Sequence, residues 1–336
     1  MDWTWTAKRR RQFCRGALAT CSLTMSACAG SQSILEPAGM QAASIAKLFW
    51  WMFGGGALVW ILVVAAALYV IKVQPGERQV RKDQWLIVGG GILFPAAVLS
   101  ALLVYGLSLM PHSRLNEQAD LNVNVAGEQW WWRVQYETTE GEVVELANEI
   151  RLPVDKSALF NLTSDNVIHS FWIPSLGGKV DMIPGRTNQM LLEPTRTGIF
   201  SGACAEYCGT SHTFMRFRVQ VMKQQAFEHW LTHQAQPARP PATAAASEGL
   251  RIFMSNGCAT CHTIRGTDAS GRLGPDLTHV GSRLSLAAGT LPMAPASFVS
   301  WIDHTRNIKP GADMPPFAVL GEDKLDALAA YLSGLE

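Results

Sequence analysis

The chain has 336 residues, 48% of them hydrophobic and only 16% charged, which exceeds one typical domain and is too apolar on average for a simple soluble protein. Its 28 basic residues nearly balance 27 acidic ones, for a formal net charge of +1, so whole-chain charge gives no pull toward nucleic acid or acidic ligands and nucleic-acid binding is set aside. Seven cysteines fall as Cys14, Cys21 and Cys28 and then as two close pairs, Cys204/Cys208 and Cys258/Cys261, a spacing that suits metal or haem attachment, with a disulfide as the plain alternative in an exported protein.

Lys8-Arg9-Arg10-Arg11 precedes a small and apolar run from Gly16 to Ala27. That run is shorter than the roughly 20 residues a bilayer span needs, so residues 1–27 read as an export signal. Met25-Ser26-Ala27-Cys28 resembles a bacterial lipoprotein processing box, although Met25 stands where leucine is usual, and lipidation of Cys28 stays open against ordinary cleavage or retention.

No charged residue appears from Leu48 to Ile71 or from Trp85 to Met110. Each run is long enough to cross the hydrocarbon core, which predicts a transmembrane hairpin over residues 40–111. Lys72, Arg78, Arg81 and Lys82 lie between the runs, and by the positive-inside rule this basic loop is cytoplasmic. Everything after Pro111 is then on the outer face, where covalent haem attachment and copper loading normally occur. Asp83 is read as an ordinary loop charge.

Residues 121–222 lose helical periodicity and show short alternating runs, among them Leu121 to Val125, Trp132 to Tyr136 and Arg216 to Met222, which predicts an all-β barrel or sandwich as the core of a domain over residues 112–233. Its chemistry concentrates in Cys204, Cys208, His212 and Met215, with His169 well upstream. Two thiolates, two imidazoles and a thioether form a soft set suited to copper. Three residues between the cysteines let both sulfurs bridge two ions, whereas zinc would accept the cysteines and histidines but leave the thioether without a role.

Prolines 237, 240 and 241 and the alanines 244–246 mark residues 234–246 as a linker before a second unit, 247–336. There Cys258-Ala259-Thr260-Cys261-His262 is the c-type haem attachment signature, with a redox-active Cys-x-x-Cys as its rival. Helix-like runs lie at Glu248 to Ser255 and Glu322 to Leu332. The opposite face of the iron needs a distant methionine or histidine, for which Met314, Met293 and His279 are the candidates in that order.

The loop Cys204-x-Glu206-x-Cys208-x₃-His212-x₂-Met215, together with His169-Ser170-Phe171-Trp172-Ile173-Pro174 and Asp181-Met182-Ile183-Pro184-Gly185-Arg186, resembles the dinuclear copper A domain of cytochrome c oxidase subunit II, over residues 40–232 with the hairpin included. Met314-Pro315 and Gly274-Pro275 likewise resemble cytochrome c. The resemblance implies a multidomain membrane protein with three parts: a two-helix transmembrane hairpin, a cupredoxin-like all-β Greek-key domain and an all-α cytochrome c domain. It implies that Cys204 and Cys208 bridge two coppers, that His169 and His212 cap them, that Met215 binds weakly and that Glu206 offers its backbone carbonyl. The Glu206 side chain would help hold magnesium at the junction with subunit I, and Trp130, first of three consecutive tryptophans, would admit electrons. Alternation along a strand predicts that Trp131 points opposite Trp130 and Trp132. Haem c would sit on Cys258, Cys261 and His262, with Met314 opposite and the Pro275 carbonyl orienting the imidazole.

The implied role is a relay in the bacterial inner membrane, with the C-terminal domains periplasmic and subunits I and III as partners. Electrons would pass from cytochrome c through haem c and copper A to haem a in subunit I, where oxygen is reduced to water and protons are translocated. The oxygen-reducing site itself is not expected in this chain, which lacks the helix bundle that would house it. The rival roles are a quinol-oxidase subunit, a nitrous-oxide reductase-like copper protein, and a free-standing membrane-anchored redox carrier or copper-delivery protein.

Overall fold

A computed structural model describes residues 30–73, 80–109, 119–138 and 141–336. The export signal with Cys14, Cys21 and Cys28, as well as Arg78, Pro111 and the side chains of Arg81, Lys82 and Asp83, lies outside the described residues. The chain divides into two compact units, Ala43–Gln118 and the remainder.

In the first unit, α1 (Met40–Val73) is followed by α2 (Val80–Val88), a π-helical turn at Gly89–Leu93, and α3 (Phe94–Ser108). The stretches Met40–Lys72 and Gln84–Ser108 are long and apolar enough to cross a membrane. Large apolar side chains such as Trp60, Leu62, Leu99 and Val104 point away from any protein cover, as expected of helices that are apolar all round and solvated by lipid. The π turn has a local cause. Pro95 donates no backbone hydrogen bond and its ring crowds the carbonyl four residues earlier, at Gly91, so the widened turn at the three glycines relieves that clash.

Among the described residues of the other unit, ten strands form two five-stranded sheets. One has the order β3-β2-β1-β5-β8, with β1 Leu121–Glu128, β2 Trp131–Glu137, β3 Val143–Ala147, β5 Ala158–Ser164 and β8 Asn188–Leu192. The other has the order β4-β10-β9-β6-β7, with β4 Glu149–Pro153, β6 His169–Trp172, β7 Lys179–Met182, β9 Gly198–Cys204 and β10 Arg216–Met222. Pairing is antiparallel except for β1 with β5 and β10 with β4. This is the cupredoxin-like arrangement, and period-two patterning drives it: Val123 and Val125 of β1 and Phe217, Val219 and Val221 of β10 turn inward while their neighbours face out. Between the sheets Phe171 stacks on Phe217 at 4.9 Å and Trp132 meets Phe217 edge-on at 5.1 Å. Such pairs add to the burial of their large apolar areas and make a stiff floor beneath the cysteine loop.

Helix α4 (Gln224–Ala235) returns across the sandwich, burying Phe227 and Trp230. It continues through Gln234, into the segment expected to be linker, because Gln234 is itself buried. Pro237, Pro240 and Pro241 keep residues 236–243 extended. Helix α5 (Ala244–Ser255) then begins before the expected Glu248, since the Thr243 hydroxyl caps it by accepting from Ala246 N at 3.1 Å. The C-terminal region is all-helical around a second core, with α6 (Cys258–Cys261), α7 (Pro295–Asp303), α8 (Thr305–Ile308) and α9 (Glu322–Ser333) packed through Ile252, Phe253, Phe298, Leu328 and Leu332.

Candidate metal and haem centres

His169 opens β6 and Cys204 closes β9, and these strands pair, so two residues distant in sequence meet at one end of the second sheet. The chain then turns through Cys208 and a 3₁₀ segment, His212–Phe214, before Met215 leads into β10. One ligand atom from each of His169, Cys204 and Cys208 falls within 4.8 Å of the others. The Cys204 sulfur lies 3.7 Å from His169 Nδ1 and 3.1 Å from the Glu206 carbonyl oxygen, and the Cys208 sulfur lies 3.5 Å from His212 Nδ1 and 3.8 Å from the Met215 sulfur. His169, Cys204, Cys208 and Met215 are buried, while the Glu206 side chain is exposed. All six residues singled out in the sequence therefore converge, Glu206 through the Cys204 sulfur and His212 and Met215 through the Cys208 sulfur.

Both cysteines are free thiols. The Cys208 thiol donates to Cys204, and with His169 nearby this pulls Cys204 down to about 3 although burial opposes it. The same contact with Cys204, and burial, hold the Cys208 proton far above the usual thiol range. Two sulfurs, two Nδ1 nitrogens, a thioether and a carbonyl, mostly withdrawn from water, fit a copper pair by the softness of the set.

Room for His169 comes from Gly127 at the end of β1, where an added Cβ would lie 2.8 Å from the imidazole Cδ2. Nothing in the sequence pattern marked that glycine. Trp132 is fully buried and Trp130, in the turn before β2, packs partly buried on the same core, while Trp131 lies beneath the Arg133 guanidinium at 4.7 Å, as alternation predicts. Trp130 Nε1 and the Gln129 side-chain amide both donate to the Cys208 carbonyl, at 2.9 and 2.8 Å.

In the helical region, Cys258, Cys261 and His262 share one turn, closed by His262 N donating to the Cys258 carbonyl at 3.0 Å. His262 Nδ1 lies 2.8 Å from the Pro275 carbonyl, which can only accept, so Nδ1 carries the hydrogen and Nε2 keeps its lone pair. Burial pushes the imidazole down, against that bond, and favours the neutral ring that iron requires. Gly274 lies flat against the ring, where a Cβ would come within 2.6 Å of Cε1. Such a fixed, neutral imidazole beside two thiols fits haem attachment. Met314 and Met293 both pack, partly buried, on the core of this region. His279 is committed elsewhere: its Nε2 donates to the Gln236 carbonyl at 2.9 Å and its ring stands 5.1 Å from that of His233.

The segment just before Met314 touches the cysteine loop and the turn beside it. Ser211 Oγ donates to the Pro310 carbonyl at 2.5 Å, Lys309 Nζ donates to the Trp130 carbonyl, and Gly311, with φ +81°, lies against the Trp130 indole. Lys309 is 4% exposed, and burial pushes its ammonium down to about 7 while the nearby Cys208 pulls the other way.

Comparison with known proteins gives two family matches: the cytochrome c oxidase subunit II periplasmic domain over residues 137–222, and cytochrome c over residues 246–336. Cytochrome c oxidase subunit 2 of Alkalihalophilus pseudofirmus is 29% identical over 336 residues, covering 95% of this chain and 96% of its own. Its counterpart in Bacillus sp. strain PS3 is 30% identical over 265 residues, covering 75% of this chain and 73% of its own. The solved periplasmic domain of subunit II of cytochrome oxidase from Bradyrhizobium japonicum is 32% identical, with a TM-score of 0.33, covering 35% of this chain and 94% of that one.

Proposed function

The chain belongs to the cytochrome c oxidase subunit 2 family, with a cytochrome c domain joined behind the copper-type domain, and on that footing we propose that it relays electrons from an external cytochrome c to subunit I of a haem-copper oxidase. Cys204, Cys208, His169, His212, Met215 and the Glu206 carbonyl would hold the copper pair. Cys258 and Cys261 would attach haem c through thioethers, with His262 and Met314 as the residues that would ligate its iron. When bound, these groups supply one-electron transfer with little change of geometry.

The chain's own residues supply rigidity, orientation and exclusion of water. The aromatic floor of Trp132, Phe171 and Phe217 fixes the strands that carry His169 and Cys204, so the donor atoms move little when charge changes. Pro275 holds the His262 proton on Nδ1 and so leaves the Nε2 lone pair available to a haem iron. The exposed Glu206 carboxylate is free to share a magnesium ion with subunit I. The two apolar helices anchor the chain in the bacterial inner membrane against subunits I and III, with the β and cytochrome domains on the periplasmic side. Oxygen reduction and proton translocation take place in subunit I.

The observation that carries this reading is the convergence of both thiols with His169 Nδ1, His212 Nδ1, the Met215 sulfur and the Glu206 carbonyl. Metal and haem analysis of the protein purified from its native membrane tests it. The expected result is two coppers and one covalent haem per chain, co-purifying with a haem a-containing subunit. Recovery without that subunit would make it a free-standing carrier, and zinc in place of copper would overturn the relay.

A further inference from the structure

We propose that Lys309 is a positioning residue, which holds the cytochrome domain in register against the cysteine loop by anchoring the Trp130 carbonyl. The inference rests on the reading of both centres as electron carriers, and its own observations lie at the seam between the domains. Lys309 and Trp130 belong to different domains, yet the lysine Nζ donates to the tryptophan carbonyl, and the indole at the other end of that residue donates to the Cys208 carbonyl. One residue, Trp130, is thus gripped by the cytochrome domain through its backbone and grips the candidate copper ligand through its ring. Gly311 closes on the same ring, where a Cβ would sit 2.8 Å from Cη2, and Gly209 of the cysteine loop touches it too, where a Cβ would sit 3.1 Å from Cζ2.

The chemistry of the lysine is what singles it out. Its ammonium is taken almost wholly out of water, and among the described residues no carboxylate pairs with it. Burying an amine whose one hydrogen-bond partner among the described residues is a carbonyl is costly, and methionine would fill the same space without that cost. A directional hydrogen bond from Nζ is what the lysine adds, and it is short-ranged enough to fix alignment rather than mere contact. Other bonds also join the domains, from Leu284 N to the Glu149 carboxylate at 2.6 Å, from Arg133 to the Arg272 carbonyl at 2.9 Å and from Arg265 to the Gln234 carbonyl at 2.5 Å. Loss of Lys309 alone therefore leaves the domains together and changes their fit at the cysteine loop.

The test uses the assembled oxidase carrying K309M or K309R. Hydrogen exchange is followed over residues 129–132, 205–214 and 309–316, alongside the rate of haem-to-copper transfer after rapid reduction of the haem. K309M is expected to speed exchange in the seam about tenfold or more and to slow the transfer by a comparable factor, with copper and haem spectra unchanged. K309R, which keeps the cationic donor, is expected to restore most of both. Wild-type exchange and transfer in K309M would overturn the proposal, and so would a K309R no better than K309M. Loss of either optical signature in K309M would also overturn it, by making the lysine a folding determinant. If wild-type protein shows no haem-to-copper transfer while K309M still loosens the seam, the relay reading fails and the seat stands.

Discussion

At Gly127 a missing side chain decides whether His169 can reach the sulfurs. Gly127→Ala places a methyl within 2.8 Å of the imidazole, so the ring must tilt. The variant is expected to lose most of its near-infrared copper absorption while keeping haem c, as Cys204→Ser and Cys208→Ser should by direct loss of a bridging sulfur. Optical spectra and copper content per haem check all three. Met314 and Met293 pack on the same core, and substitution separates them: Met314→Ala should abolish the visible signature of methionine ligation, and Met293→Ala should leave it intact. Most of the candidate ligand residues were legible because their donors lie close in sequence, as in Cys204 to Met215 and Cys258 to His262. Gly127 and Lys309 were not, since each matters only through a partner far along the chain. Trp130 was half legible: the run of three marked it, but its bond to the Cys208 carbonyl follows only from the finished fold.

Among the elements, the long strands were readable from period-two burial, whereas β4 was hidden because both of its faces are covered, with Glu149 itself only 2% exposed. That carboxylate accepts from Arg151 at 2.8 Å and from Leu284 N at 2.6 Å. Glu149→Ala would strand both partners in a buried seam, and should cost about 3 kcal/mol in chemical denaturation of the β and cytochrome domains. Thr243→Ala removes only the cap of α5 and should cost about 1 kcal/mol, measured the same way. The start of α5 shows why helix ends elude sequence reading: the alanines at 244–246 look like linker until the Thr243 hydroxyl is seen to bind Ala246 N. The π turn in the second span was likewise hidden, because hydropathy registers neither the glycine run nor Pro95 as a change of helix type.

For the molecule as a whole, the three parts were separable in the sequence by composition, but the docking of the cytochrome domain on the cysteine loop was not. That docking is written in backbone carbonyls, at Trp130, Pro310, Arg272 and Gln234, whose positions follow only from the finished fold. It brings the segment bearing Met314 to the loop bearing Cys208, which is what a relay within one chain requires. The most direct measurement is stopped-flow spectroscopy of the assembled oxidase, mixed with reduced cytochrome c under anaerobic conditions. The account predicts that the haem of this chain is reduced first, and that the near-infrared copper band then disappears at a rate independent of protein concentration as that haem reoxidises. A reduced haem standing beside copper that stays oxidised would contradict it.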